Sequence, residues 1–119
     1  MENNKRIKAE EFFHKPPVNY GCSQAVLLGF KDEFNVTESD IAEFALYRGG
    51  NAPEGCCGAL YAANVLLERR GLASVSEEFC AVAGSTLCRE IKFGTQYPCL
   101  DCVRLADTLL EKRLAESEE

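Results

Sequence analysis

The chain has 119 residues, 46% of them hydrophobic, enough for one domain with an ordinary core that needs no disulfide staples. Its net charge is −6 and its basic residues form no stripe that could neutralise phosphates, which argues against a nucleic-acid partner. The start, Met1 to Arg6, is polar, and no later apolar run reaches bilayer length, so the expectation is a cytoplasmic protein with no membrane partner.

The predicted elements are helices throughout. Asn4 to His14 reads as a short charged helix with Ile7 and Phe12 inward, stopped by Pro16-Pro17. Asn19 is then placed to cap a helix carrying Cys22, Ala25, Val26, Leu27 and Phe30 at the spacing of a buried stripe. Thr37-Glu38-Ser39-Asp40 resembles a capping box ahead of Ile41, Phe44 and Ala45, with Gly49-Gly50 closing that helix. After a turn-rich loop from Asn51 to Gly55, Cys57 opens the most apolar helix, with Leu60, Tyr61, Asn64, Val65 and Leu67 before Glu68-Arg69-Arg70 and Gly71 at its C-terminus.

Ser74-Val75-Ser76-Glu77 forms a second capping-box pattern, before a helix with Phe79, Val82 and Ala83 that Gly84 ends. Ser85 or Thr86 is placed to cap a brief turn with Cys88, Glu90 and Ile91. Pro98 suits the first position of a last amphipathic helix, whose inward face is Cys102, Leu105, Ala106, Leu109 and Leu110. No segment alternates with period two for long enough to form a strand. The expected fold is all-α, a small bundle of about five to six helices in a single domain over residues 1–119, frayed at 1–3 and 116–119.

Seven cysteines accompany a single histidine. A reducing compartment gives structural disulfides little use, so an odd, high cysteine count points to metal binding or redox turnover. Cys22, Cys57, Cys88 and Cys99 each fall where a helix begins, and unpaired N–H groups there stabilise a thiolate and lower the thiol pKa. His14, beside a Pro-Pro break, suits a helix end better than a catalytic base. Paired carboxylates such as Glu10-Glu11 and Glu77-Glu78 read as solvated faces, and Glu90 beside Arg89 as an ion pair.

The order Gly21-Cys22-Ser23-Gln24-Ala25, Gly49-Gly50, Gly55-Cys56-Cys57-Gly58-Ala59-Leu60, Cys88-Arg89-Glu90 and Cys99 resembles the C_GCAxxG_C_C family over most of the chain. That resemblance implies a small helical domain whose ordered cysteines are redox-active, with selenocysteine at a cysteine position in some members. Its cysteines correspond to Cys22, the Cys56-Cys57 pair, Cys88 and Cys99. Two adjacent cysteines and Ala62 in place of a closing glycine depart from the pattern, which leaves Cys56 against Cys57 open; Cys57, directly before Gly58-Ala59, is favoured. Related domains joined to a haem protein imply nothing here, because the chain has no Cys-x-x-Cys-His attachment.

Three readings follow. If two thiols approach, a low-pKa thiolate performs thiol/disulfide or electron-transfer chemistry, with Cys22, Cys57, Cys88 and Cys99 as the catalytic candidates and Cys56 and Arg89 as secondary ones. If all four converge, the same residues ligate an iron–sulfur cluster or zinc. If neither holds, the chain is a non-catalytic helical interaction module. An oxidoreductase with a redox partner leads, and a homo-oligomer is allowed. Cys80, mid-helix, and Cys102, one turn into the last helix, are read as packing residues. Cys99-Leu100-Asp101-Cys102, a Cys-x-x-Cys without a βαβ context, ranks below a cross-helix arrangement.

Overall fold

The computed structural model describes residues 8–13, 20–45, 55–91, 94 and 97–117, the side chains of Cys99 and Ser117 excepted. Among these the chain forms seven α-helices, five of them seven residues or longer, and no strand. They are α1 (Cys22–Gly29), α2 (Lys31–Phe34), α3 (Glu38–Phe44), α4 (Gly58–Arg69), α5 (Ser76–Ala83), α6 (Cys88–Glu90) and α7 (Cys99–Ser117). No described helix is long and apolar enough to cross a membrane.

The first expected helix is reduced, in its described part, to one 3₁₀ turn at Ala9–Glu11. Ala9 is the residue it buries, and its backbone seats so closely on α1 that a Cβ at Gly29 would lie 2.9 Å from the Ala9 Cα. The Ala9 N–H donates to the buried Asp107 carboxylate of α7 at 2.8 Å, so a single small residue ties the turn to two helices. Phe12 is half-buried against the core. Ile7, His14 and Asn19 lie outside the described residues.

Gly21, lacking a side chain, is the residue that precedes α1, and Gln24 supplies the missing cap: its Oε1 accepts the Gly21 N–H at 3.0 Å. The Gln24 Nε2 donates to the Ile41 carbonyl and the Ser23 hydroxyl to that of Phe44, so two buried polar residues of α1 hold the last turn of α3. The capping box at Thr37 forms as expected, with Asp40 as its second member. Asp40 also pairs with Arg69 at the end of α4, and this guanidinium, followed by the Thr37 N–H, lowers the Asp40 pKa.

α4 is the centre of the bundle, packed against α1, α5 and α7. Ala59, Leu60, Ala62, Ala63, Leu66 and Leu67 have no exposure, while Tyr61 stacks on Phe44 with ring centroids 5.8 Å apart. Gly71 ends it at φ 70°, with its N–H on the Glu68 carbonyl and that of Leu72 on Leu67, the paired bonds of a Schellman motif.

The second expected capping box does not form. Val75 precedes α5, and the Ser74 hydroxyl stands 3.5 Å from the Ser76 N–H. Asn64 of α4 replaces it, its Oδ1 accepting from the Val75 N–H and its Nδ2 donating to Ser76 Oγ. Asn64 interrupts the apolar stripe of α4 because it carries the cap of the neighbouring helix. Val82 of α5 is 54% exposed. The Cys102 amide bonds to the Pro98 carbonyl, so α7 starts one residue later than expected, and it continues to Ser117, past the point where fraying was expected.

Candidate functional site

The N-terminus of α4 is fixed by a cross-chain pairing that the sequence does not announce. Gly55 adopts φ 75°, in the left-handed region open to glycine, and sends the chain into an antiparallel bridge between Cys56 and Leu87. The Cys57 N–H donates to the Thr86 carbonyl at 2.8 Å, and the Cys57 carbonyl receives the Tyr61 N–H at 2.9 Å as the first bond of the helix. Cys57 is therefore held from both sides in the N-cap position. Gly58 and Ala59 follow, both buried, and give the helix start a small footprint against its neighbours.

Cys102, in the first turn of α7, is the second thiol at this point. Cys57 is 5% and Cys102 3% exposed, and neither forms a disulfide. The Cys57 thiol is lowered from its ordinary value of 9.0 to about 7, first by hydrogen bonding from Cys102, then by the Leu60 and Ala59 amides, against an opposing effect of burial. The sulfur makes no geometrically complete capping bond, so the amides act by favourable charge at short range more than as a formed cap. Tyr97, half-buried before α7, has its hydroxyl pKa raised by burial and then by the negative charge of Asp101 and Cys102.

The expected site residues divide accordingly. Cys57 occupies the helix-start position assigned to it. Cys22 opens α1 and Cys88 opens α6, both half-buried. Cys99 opens α7 in the backbone; its side chain lies outside the described atoms. Cys56 is half-buried at the bridge. Arg89 is exposed, and no cation is among the causes of the Cys57 shift. Glu90 accepts from the Ser85 hydroxyl at 2.7 Å, where an ion pair with Arg89 was expected, while that hydroxyl also accepts from the Leu87 N–H at 3.0 Å.

Cys102 lies in the hydrophobic core, as expected of a packing residue, and in addition lowers the Cys57 pKa, whereas Cys80, expected to pack, is exposed on α5. Cys102 carried a weak trace in the sequence, as the second cysteine of a Cys-x-x-Cys on an inward face. Among the described residues no three His, Cys, Asp or Glu side chains form a set able to hold a metal ion. Cys57 and Cys102 supply two thiols, half of the four that a cluster or structural zinc takes. Comparison with protein-family models, curated proteins and solved structures yields no match.

Proposed function

We propose that the protein is a dithiol redox protein, with Cys57 the attacking thiolate and Cys102 the resolving thiol. The observation that carries this reading is the Cys57 thiol at about 7 with Cys102 bonded to it. At neutral pH about half of such a thiol is ionised, against a few per cent for an ordinary one. A pKa near ambient pH also gives the best compromise between thiolate fraction and intrinsic nucleophilicity.

The reaction balances within the pair. The Cys57 thiolate attacks one sulfur of a small disulfide substrate, whose S–S bond breaks and expels a thiolate. Cys102 gives up its proton to that leaving group and attacks the Cys57 sulfur, expelling the second thiolate. The protein loses two electrons as the Cys57–Cys102 disulfide forms, and the substrate gains them as one thiol and one thiolate, the latter taking its proton from water.

Alkylation rate against pH, with peptide mapping, measures the Cys57 ionisation directly. An inflection near 7 in the wild type, moving up toward the ordinary range in Cys102→Ser, is the expected result. Oxidation by glutathione disulfide is expected to yield a Cys57–Cys102 disulfide by mass spectrometry. An inflection at or above about 8.5 in the wild type, or a different disulfide, refutes the assignment.

A further inference from the structure

Among the described residues Asp107 is the one carboxylate in the core, 3% exposed on α7. Desolvating a carboxylate is costly, and an apolar side chain of similar volume at such a place is often at least as stabilising. What apolar packing does not supply is direction. Val103, Ala106 and Leu110, fully buried neighbours of Asp107 on α7, make non-directional contacts that a shifted helix partly remakes. Asp107 Oδ2 accepts one particular N–H, that of Ala9, at 2.8 Å, and a shifted helix loses that bond.

This bond is connected to Cys57 through a continuous set of contacts. Ala9 has no exposure and lies so close to α1 that a Cβ at Gly29 would stand 2.9 Å from its N and Cα. In turn α1 packs on α4, whose N-cap is Cys57. Asp107 thus sets the position of α7 relative to the helix that Cys57 opens. Two ion pairs follow the same line, Lys8 with Glu111 at 3.1 Å and Glu10 with Arg104 at 3.0 Å, so residues 8, 9 and 10 meet 111, 107 and 104 in antiparallel order. Both pairs are largely open to solvent and add little energy, which leaves the register to the buried bond. Cys102 stands on the same helix, about 7.5 Å along the axis from Asp107. A slip of one residue moves it by about 1.5 Å and turns it by about 100°, away from Cys57.

We propose that Asp107 is a positioning residue of the thiol pair, pinning α7 in the register that presents Cys102 to Cys57. The role rests on the dithiol reading above and adds the side chain that fixes its geometry. A pin of this kind sets the effective concentration of one thiol at the other. Exchange with glutathione reads that quantity, because two protein thiols are oxidised to the Cys57–Cys102 disulfide as one glutathione disulfide is reduced to two glutathione thiols.

The full-length protein and its variants are equilibrated with glutathione and its disulfide at pH 6, where Cys57 is largely protonated, and the Cys57–Cys102 bond is quantified by mass spectrometry after acid quenching. Asp107→Leu is expected to keep the helical circular-dichroism spectrum and to lower the equilibrium constant for the disulfide by about tenfold or more. Asp107→Asn, whose amide oxygen still accepts the Ala9 N–H, is expected to stay within about threefold of the wild type. An unchanged constant in a folded Asp107→Leu overturns the role. An equal loss in both variants also overturns it, since the charge and not the bond would then be at work. If Asp107→Leu does not fold, Gly29→Ala decides: its Cβ displaces Ala9 from the α1 side and is expected to lower the constant by about threefold or more, an unchanged value overturning the role. A wild type that forms no Cys57–Cys102 bond overturns the dithiol reading, and this role with it.

Discussion

On the Cys57 sulfur, burial opposes ionisation while Cys102 and two helix amides favour it, and the favourable group wins by enough to bring the pKa from 9.0 to about 7. This has a thermodynamic consequence. Because the folded-state pKa lies below the unfolded one, the unfolded chain holds more protons between these values, and stability rises with pH across that window. The contribution is fully present above about 9 and is lost as pH falls through about 7, and a shift of this size corresponds to ~2–3 kcal/mol. Urea unfolding of the reduced wild type from pH 6 to 9 is expected to show this rise, and Cys57→Ser to flatten it. Serine is a good N-cap, so the variant's stability at pH 6 is expected to match or exceed that of the wild type; the slope, not the level, is the readout. An equal slope in both proteins would mean that the thiolate is not stabilised by folding. Cys57 was legible in the sequence because a cysteine before Gly58-Ala59 and an apolar stripe falls at a helix start. Cys102 was not, since an inward cysteine packs or reacts according to what faces it, and what faces it lies roughly 45 residues away.

Helix ends show the same divide between local and distant causes. Thr37 and Asp40 cap α3 within four consecutive residues, and the pattern was readable because both partners are in it. Ser74 and Glu77 present an equivalent pattern, but Asn64 of α4 satisfies the Val75 N–H instead, and Val75, 2% exposed, is drawn into the core. Tertiary packing overrode a local preference. Asn64→Ala removes both the acceptor for Val75 and the donor to Ser76, and is expected to lower stability by about 1–3 kcal/mol. Ser74→Ala, which removes a hydroxyl at 3.5 Å from its nearest amide, is expected to change it by less than about 0.5 kcal/mol. Chemical denaturation of the two variants side by side decides the matter; the reverse order would restore the local capping box.

Across the whole molecule, the all-helical architecture was legible from period and punctuation, whereas the bridge between Cys56 and Leu87 was not, because one ladder pair has no periodicity. Yet that bridge and the packing of α4 on α7 position Cys57 and Cys102, so under the proposed dithiol function the oxidation state of the two thiols is coupled to global stability. Closing a loop of roughly 45 residues between Cys57 and Cys102 restricts the unfolded chain and stabilises the oxidised protein by ~4 kcal/mol in the chain-entropy account. The thiolate acts in the other direction, stabilising only the reduced form and only above its folded pKa. At pH 6 loop closure acts almost alone, and the oxidised protein is expected to exceed the reduced one by ~4 kcal/mol. At pH 9 the thiolate contributes ~2–3 kcal/mol to the reduced form, and the gap is expected to shrink to ~1–2 kcal/mol. Paired denaturation curves of the two redox forms at both pH values test this. A gap that does not narrow would separate the Cys57 ionisation from the stability of the fold, and a gap near zero at pH 6 would mean that the disulfide forms only at the expense of native packing between α4 and α7.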